Sequence, residues 1–280
     1  MAFPAAGRAG MTAAGRGGFL LRWAVFAAAV ATWQLAASVA VPEDEKVFFP
    51  PPSVIAPRIY QLWFSGPADH GFLTPAATAD IVPSVERMLA GWLLAVVLGV
   101  GLGLLLGRLP GVLDYVDPAI QFFRAVPPPI LIPVFIVLFK LGPAMRLAVI
   151  VSGVVWPILL NSIDGARTVE PLRLDVARVF ALTPWQRLHG IILPAAGPKI
   201  FAGLRVSLSM SIVLMVISEM VGGTDGIGYR LYITKDSFQL PEMWSVIVLL
   251  GLLGYTFNAL LLTLERHVLA WQRGERRVES

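Results

Sequence analysis

The sequence predicts an all-α, polytopic membrane protein with six transmembrane helices. Hydrophobic residues make up 56% of its 280 residues and charged residues only 14%, and the mean hydropathy is +0.74. This composition lies far from that of a soluble domain. Several apolar runs are also long enough to cross a bilayer at about 1.5 Å of rise per helical residue.

The first predicted span covers residues 19–41 and follows a tail, residues 1–18, that is rich in glycine and alanine. The tail lacks the periodicity of a packed helix, so we expect it to be disordered. A cleaved signal peptide is the alternative for the apolar run, because Ser38-Val39-Ala40 resembles a cleavage site. The run exceeds the roughly 7–15-residue apolar core of a signal peptide, which favours a span.

Residues 42–83 are polar and irregular, and they predict an extracytoplasmic loop that carries one interfacial helix. We expect Ser53 to begin this helix and its aromatic residues to lie at the membrane interface. Those aromatic residues are Tyr60, Trp63 and Phe64.

The second predicted span, residues 84–107, contains five glycines at short spacing, which predict a seam of close helix packing in lipid. They are Gly91, Gly99, Gly101, Gly103 and Gly107.

The third predicted span, residues 119–139, is the least regular, with Arg124 near its start and Pro127-Pro128-Pro129 inside it. Prolines remove backbone hydrogen bonds, and such breaks survive in lipid where protein or a cavity satisfies the freed groups. We therefore expect Arg124 and Pro128 to line a pathway, with a purely structural kink as the alternative. The remaining predicted spans are residues 147–163, 200–221 and 244–264.

The fifth predicted span contains an unusual acid, Glu219, near its outer end. An acid in a membrane span is a functional candidate, here a gate or a hydrogen-bond partner of the Gly222-Gly223 turn. The alternative is that Glu219 reaches water or pairs with Arg230.

Other polar residues of the same span are weaker candidates. Ser207, Ser211 and Ser218 are placed to line a path, although serine also bonds to its own helix. Arg205 is expected to extend to the inner interface.

Between the fourth and fifth spans lies a polar, arginine-bearing segment, residues 170–197, with its own helix signals. Leu172, Val176 and Phe180 recur every fourth residue and predict an amphipathic helix that ends near Leu182. Thr183 and Gln186 then match a capping box, with Pro184 in the first turn. The segment is therefore predicted to be a helix, a tight turn and a second helix outside the bilayer.

Six spans place both termini and this segment on one side, and the basic residues indicate which side. That side has Arg8, Arg16, Arg108, Arg167, Arg173, Arg178, Arg187, Lys199 and the arginines of the tail, residues 270–280. The opposite side has fewer basic residues in longer loops that also contain acids. The excess predicts that the termini and residues 170–197 are cytoplasmic.

The spacing from Asp175 and Ala177 through Ala181 to Ile191 and Leu193-Pro194 resembles the EAA loop of ABC-importer permeases. In that motif Asp175 takes the place of the glutamate and Ala181 that of the glycine. Other stretches resemble the nitrate/sulfonate/taurine branch of these permeases. They are Phe49-Pro50-Pro51-Pro52-Ser53-Val54, residues 84–91, Arg124-Ala125-Val126-Pro127-Pro128, Gly203-Leu204-Arg205, Ser218-Glu219-Met220 and Gly226-Ile227-Gly228-Tyr229.

This resemblance implies a type I importer permease, with a core at residues 84–269, that works with a binding protein and a separate ATPase. The short helix around residues 181–186 would dock into the ATPase, with Leu182 and Trp185 as apolar anchors and arginines at the rim. The full set of implied coupling residues is Asp175, Ala177, Arg178, Ala181, Leu182, Thr183, Pro184, Trp185 and Arg187.

The resemblance also implies a small solute, such as a sulfonate, nitrate or taurine, and a plasma-membrane location. A homodimer is expected, with a hetero-pair as the alternative. The chain contains no phosphate-binding Gly-x-x-x-x-Gly-Lys motif, so ATP is expected on the partner ATPase. Its three histidines are too scattered to predict a metal site.

Two other functional classes remain open at this point, a self-sufficient secondary transporter and a polytopic membrane enzyme. A secondary transporter is expected to have broken helices in two repeated halves, with ionisable residues at the midplane. An enzyme is expected to have convergent catalytic polar groups. The sequence shows one strongly interrupted span and neither of these patterns, so we expect a permease without catalytic activity.

Overall fold

The computed structural model describes residues 17–270, and every regular element within that range is a helix. The helices are α1 (Gly17–Leu35), α2 (Pro52–Ile59), α3 (Pro75–Arg108), α4 (Pro110–Ala125), α5 (Ile132–Phe139), α6 (Pro143–Arg167), α7 (Pro171–Val179), α8 (Pro184–Arg187), α9 (Leu193–Met220), α10 (Ile227–Asp236) and α11 (Leu240–Val268). Most of the two predicted tails lies outside the described residues. The structure describes only residues 17 and 18 of the tail predicted to be disordered, and only residue 270 of the basic tail.

Five helical segments within residues 17–270 are long and apolar enough to cross a membrane. They are Trp23–Ala40, Pro75–Arg108, Pro143–Arg167, Pro184–Met220 and Leu240–Val268. A sixth candidate is a broken pair, α4 with residues 128–139, whose two parts meet at 85°. The all-α, polytopic prediction is therefore confirmed.

The third predicted span is interrupted at its prolines, as predicted, but its start is wrong. Helix α4 begins at Pro110, nine residues before the predicted start, and ends before Val126. Val126 is extended, with ψ of 117°, as expected of a residue that precedes proline. The sequence Pro127-Pro128-Pro129 then turns the chain into a short 3₁₀ segment before α5.

The second predicted span is longer than expected, because α3 begins at Pro75 instead of residue 84. The Thr74 side chain accepts a hydrogen bond of 3.1 Å from Ala77 N, and Pro75 occupies the first helical position. Both features stabilise a helix start. The last nine residues of the predicted loop are therefore helical.

The predicted loop contains a helix, α2, but two details of its prediction are wrong. Its N-cap is Pro51, without a side-chain hydrogen bond, so Ser53 does not cap it. Trp63 does not lie at a surface: it is fully buried in an apolar cluster that includes Ala77, Ile227 and Val246.

The core of the molecule is formed where α3, α6 and α9 pack together. A Cβ atom added at Gly103 would lie 2.4 Å from Ser162 Cβ, and one at Gly91 would lie 2.7 Å from Ile150 Cγ2. Gly99 and Gly107 are equally close to α6, whereas Gly101 faces open space. The predicted packing seam is confirmed at four of its five glycines, namely Gly91, Gly99, Gly103 and Gly107.

The two ends of this core differ in the residues and elements that lie there. Helices α7 and α8 lie between the end of α6 and the start of α9, at what we call the loop end. At the opposite end the first turns of α3 and α6 meet the last turn of α9 and the loop that leads to α10. We call this second region the polar end.

Candidate functional site

The turn between α7 and α8 is built around Ala181. Ala181 adopts a left-handed conformation with φ of 49°. Its N–H donates to Arg178 O, and Leu182 N donates to Ala177 O, both at 3.0 Å. This is the Schellman arrangement, in which glycine usually takes the left-handed position. Alanine thus makes the sharp turn that the resemblance assigns to a glycine.

A capping box fixes the residues that follow the turn, as predicted. Gln186 N donates to the Thr183 hydroxyl at 3.3 Å, and Thr183 N donates to Gln186 Oε1 at 2.8 Å. Arg187 Nε donates to Leu182 O at 2.7 Å, which closes the turn from the other side. Local hydrogen bonds therefore define the conformation of the turn.

The predicted second helix of this segment does not stand apart from the fifth span. Helix α8 continues through a π-helical turn, Leu188–Ile192, into α9. Together they form one apolar helix of 37 residues, Pro184–Met220. The segment is thus a short helix α7, a turn, and the protruding first turns of a long span.

The loop end presents an exposed apolar surface, which we call the α7–α8 surface. Its members are Leu172, Val176, Val179, Phe180 and Trp185, of which Val179 is 83% exposed and Trp185 69% exposed. A groove of about 750 Å³ lies beside it, between α7 and the start of α9. Asp175 and Arg178 form an exposed ion pair of 2.7 Å next to the surface. Exposed aromatic and aliphatic side chains on a rigid turn are typical of a docking site.

At the polar end, Glu219 is fully buried and accepts hydrogen bonds from three different parts of the chain. The donors are Ser84 Oγ at 2.7 Å, Arg87 Nη1 at 2.9 Å and Gly228 N at 3.0 Å. Glu219 therefore neither reaches water nor pairs with Arg230, so that alternative is wrong. Its backbone partner is Gly228, a few residues beyond the predicted Gly222-Gly223 turn.

The loop after α9 fits closely around this carboxylate. Gly226 has φ of 103°, and a Cβ atom there would lie 2.5 Å from Glu219 Oε2. Ile227 N also donates to Ser84 Oγ at 2.8 Å. A side chain at position 226 would collide with the Glu219 carboxylate, which explains the glycine at this position.

A second carboxylate, Asp225, joins two arginines from different helices. Arg87 of α3 donates to Asp225 Oδ2, and Arg146 of α6 donates to Asp225 Oδ1 at 3.1 Å. Burial raises the pKa of Asp225, but the hydrogen bonds from Arg87 and Arg146 outweigh it and hold the pKa below its ordinary value. Asp225 is therefore ionised at neutral pH. Nearby, Arg230 pairs with Asp80 at 2.9 Å.

The remaining predicted pathway residues do not converge with Glu219. Each of the hydroxyls of Ser207, Ser211 and Ser218 is buried and donates to a carbonyl three residues earlier in α9. Arg124 is exposed on α4, and Pro128 packs against Gly153. Their role in a path stays a prediction.

Two further expectations concern Arg205 and metal binding. Arg205 forms an ion pair of 2.6 Å with Glu265 of α11, a contact that was not predicted. Among residues 17–270, no three histidine or acidic side chains lie close enough together to hold a metal ion.

Sequence reasoning missed most of the polar end, namely Asp80, Ser84, Arg87, Arg146 and Asp225. One signal was available, since Ser84 and Arg87 are three residues apart and share one face of an apolar helix. Polar groups on one face of a span usually point into the bundle. Their partner, Glu219, lies more than 130 residues away in the sequence.

Residues 99–273 match a protein family described as the inner membrane component of binding-protein-dependent transport systems. The chain belongs to this family. Similar proteins include the putative aliphatic sulfonates transport permease SsuC of Bacillus subtilis, 32% identical over 68% of both chains. The nitrate import permease NrtB of Synechocystis is 29% identical over 83% of both chains. The taurine transport system permease TauC of Escherichia coli is 25% identical over 80% of both chains.

A solved structure has the same fold. It is an inward-facing conformation of the MetNI methionine ABC transporter, which aligns with a TM-score of 0.57 at 21% identity. The alignment covers 67% of this chain and 95% of that chain. The type I importer fold is thus confirmed.

These findings confirm the resemblance to the nitrate/sulfonate/taurine family of ABC-importer permeases. The chain is a multi-pass membrane protein and a permease subunit of an importer. The secondary transporter and the membrane enzyme are not favoured. The similarities do not test the roles of individual site residues, which stay predictions.

Proposed function

We propose that this permease forms the path for a small anion, delivered by an extracytoplasmic binding protein and moved by ATP hydrolysis in a separate ATPase. The anion is supported by the relatives, which are named for aliphatic sulfonates, nitrate, taurine and, in Synechococcus elongatus, bicarbonate. All four solutes carry a negatively charged oxygen group. The chain itself has no catalytic role in this proposal, and ATP is bound by the partner.

The α7–α8 surface is the observation that supports the proposed contact with the ATPase. Phe180 and Trp185 are 74% and 69% exposed although both are large and apolar. The Schellman turn and the capping box fix the backbone that carries both side chains. A preorganised aromatic pair with Arg178 and Arg187 beside it has the form of an interaction hot spot.

Leu182, which was expected to be an anchor, contributes less to this surface. It is half-buried and its carbonyl is bonded to Arg187. In our proposal the docking side chains are therefore Trp185 and Phe180, with Leu182 packed beneath the turn.

The basic residues support an orientation for this surface, and its single occurrence in the chain supports an assembly. Both termini and the loop end are cytoplasmic in our proposal, supported by the excess of arginine and lysine on that side. The polar end then faces the binding protein. One chain presents one docking turn. If two ATPases each dock on one such turn, two permease chains are needed, and we propose that they form a homodimer.

The contact is tested by replacing Trp185 with glutamate in the intact importer. We expect the amount of ATPase that co-purifies with the permease to fall at least about tenfold, because hot-spot aromatics contribute roughly 2 kcal/mol or more. Phe48→Glu is the matched control, since Phe48 is 61% exposed and far from the turn. Unchanged co-purification of the Trp185→Glu variant would refute the docking role.

Transport is tested separately in proteoliposomes that contain the permease, its ATPase and its binding protein. We expect uptake of an anionic solute that requires ATP and is blocked by vanadate. Uptake that follows a proton gradient without ATP would instead support a secondary transporter.

A further inference from the structure

Two arginines at the polar end are aimed at the same partly exposed carboxylate. Arg87 and Arg146 start on different helices, α3 and α6, and each donates to a different oxygen of Asp225. The Asp225 side chain is 37% exposed, whereas those of Arg87 and Arg146 are 14% and 5% exposed. The positive groups are thus largely fixed inside the protein, and the negative group reaches them from the surface.

Arg146 depends on this one carboxylate. Asp225 is its ion-pair partner, and Arg146 Nε is buried without a hydrogen-bond partner among residues 17–270. A buried guanidinium without a counter-charge is strongly unfavourable. If Asp225 moves away, another anion must therefore take its place beside Arg146.

Arg87 differs because it has a second carboxylate partner, which is fully buried. Its Nη1 donates to Glu219, which is fully buried and also held by Ser84 and Gly228. This contact fixes the orientation of the guanidinium and leaves Nη2 for Asp225. The charges of Arg87, Arg146, Glu219 and Asp225 sum to zero, so exchange of Asp225 for a monovalent anion keeps the group neutral.

Asp225 lies on a short, partly exposed loop between two helices. Residues 221–226 connect α9 to α10 without helical structure, and Thr224 beside Asp225 is exposed. Gly222 and Gly226 both have positive φ, at 63° and 103°. Gly222 is exposed and can change its backbone conformation readily, whereas Gly226 is buried against Glu219. The movement that our proposal requires is therefore that of residues 222–225.

We propose that Arg87 and Arg146 form a clamp for an oxyanion, such as a sulfonate or nitrate group, and that Asp225 occupies the clamp as a built-in competitor. A carboxylate and these oxyanions share the geometry that guanidinium groups bind in pairs of hydrogen bonds. The clamp rests on the proposed anion import, since it gives the solute its first site on the permease. An arriving anion displaces Asp225 and releases the loop.

Loop release is measured with a spin label, because the chain contains no cysteine. Thr224→Cys carries the label, and sodium chloride is replaced by sodium methanesulfonate at constant ionic strength. We expect label mobility to rise with methanesulfonate and the rise to be absent when Arg146→Gln is added. Equal mobility in both salts, or a response that survives Arg146→Gln, would overturn the proposal.

Direct binding provides a second test on the purified permease without ATPase or binding protein. We expect Asp225→Asn to bind methanesulfonate at least about tenfold more tightly than the wild type in calorimetry, because the internal competitor is lost. Asp225→Asn with Arg146→Gln should bind no more tightly than the wild type. Asp80→Asn is the matched control, since it also removes one nearby negative charge but breaks the Arg230 pair and leaves the hydrogen bonds of the clamp in place.

These outcomes separate the clamp from the proposed transport function. An equal affinity of Asp225→Asn and wild type, or tight binding that survives Arg146→Gln, refutes the clamp even if ATP-driven uptake is observed. Tight, arginine-dependent binding supports the clamp even if uptake by the reconstituted importer fails.

Discussion

Glu219 is the residue on which the polar end depends, since it joins α3, α9 and the start of α10. Replacement by alanine would leave Ser84 Oγ, Gly228 N and one side of Arg87 without their buried acceptor. Removing one member of a buried ion pair costs about 3–5 kcal/mol. We therefore expect Glu219→Ala to lower the free energy of unfolding by about that amount.

Denaturant titration of the purified permease measures this loss. Glu86→Ala is the control, because Glu86 lies on the same helix α3 as Ser84 and Arg87 but is exposed. We expect little change for that variant. Equal stability of Glu219→Ala and the wild type would show that the three hydrogen bonds are not formed.

A second prediction for a single residue concerns the backbone conformation of Ala181. Its left-handed conformation costs an L-amino acid about 1–2 kcal/mol relative to the right-handed one. Ala181→Gly should remove this strain and slow amide exchange in residues 177–187, while ATP-driven uptake is kept. Ala181→Val should accelerate exchange, because a β-branched residue tolerates positive φ poorly. Faster exchange in the glycine variant would contradict the assigned turn.

At the residue scale, the accuracy of sequence reasoning depended on how far apart the partners lie. The Thr183 and Gln186 capping box was predictable because its two residues are three positions apart and meet through local geometry. The contacts of Glu219 were not, because Ser84 and Arg87 lie 135 and 132 residues away. Only the packing of α3 against α9 brings them together.

At the scale of helices, the glycine seam of α3 sets how closely α3 and α6 approach. A Cβ atom at Gly103 would lie 2.8 Å from Leu159 O, a backbone atom that cannot rotate away. Gly103→Ala should therefore destabilise the protein by about 1–3 kcal/mol, as overpacking does. Gly101→Ala is the matched control: it faces open space on the same helix and should gain slightly from the helix propensity of alanine.

Thermal unfolding in one detergent compares the two alanine variants directly. The variants share the same chemical change and the same helix, so the difference between their midpoints reports the packing contact alone. Equal midpoints for Gly103→Ala and Gly101→Ala would mean that α6 is free to move away from α3.

Apolar runs predicted the existence of the spans but not all of their boundaries. Helix α3 extends nine residues before its predicted start because Thr74 and Pro75 give it a better N-terminus than the apolar run indicates. The third span breaks after Ala125 because Pro127 forces Val126 into an extended conformation. Hydropathy counts apolar residues, whereas caps and prolines decide where a helix begins and ends.

At the scale of the whole molecule, one helix connects the loop end with the polar end. The segment Pro184–Met220 carries Trp185 at its start and Glu219 at its end. Its 37 residues span about 55 Å at 1.5 Å per residue. A tilt of this helix, produced at the loop end by the ATPase, would shift Glu219 relative to Ser84 and Arg87. If the turn docks on the ATPase as we propose, its movement is therefore expected to open the polar end.

That arrangement requires the two ends to face opposite sides of the membrane, and the absence of cysteine makes this testable. Thr224→Cys at the polar end and Val179→Cys at the loop end each introduce one exposed thiol. We expect a membrane-impermeant maleimide to label Thr224→Cys in intact cells and Val179→Cys only after permeabilisation. The reason is the arginine and lysine excess around the loop end, which favours the cytoplasm. Labelling of Val179→Cys in intact cells would reverse the topology and remove the α7–α8 surface from the reach of a cytoplasmic ATPase.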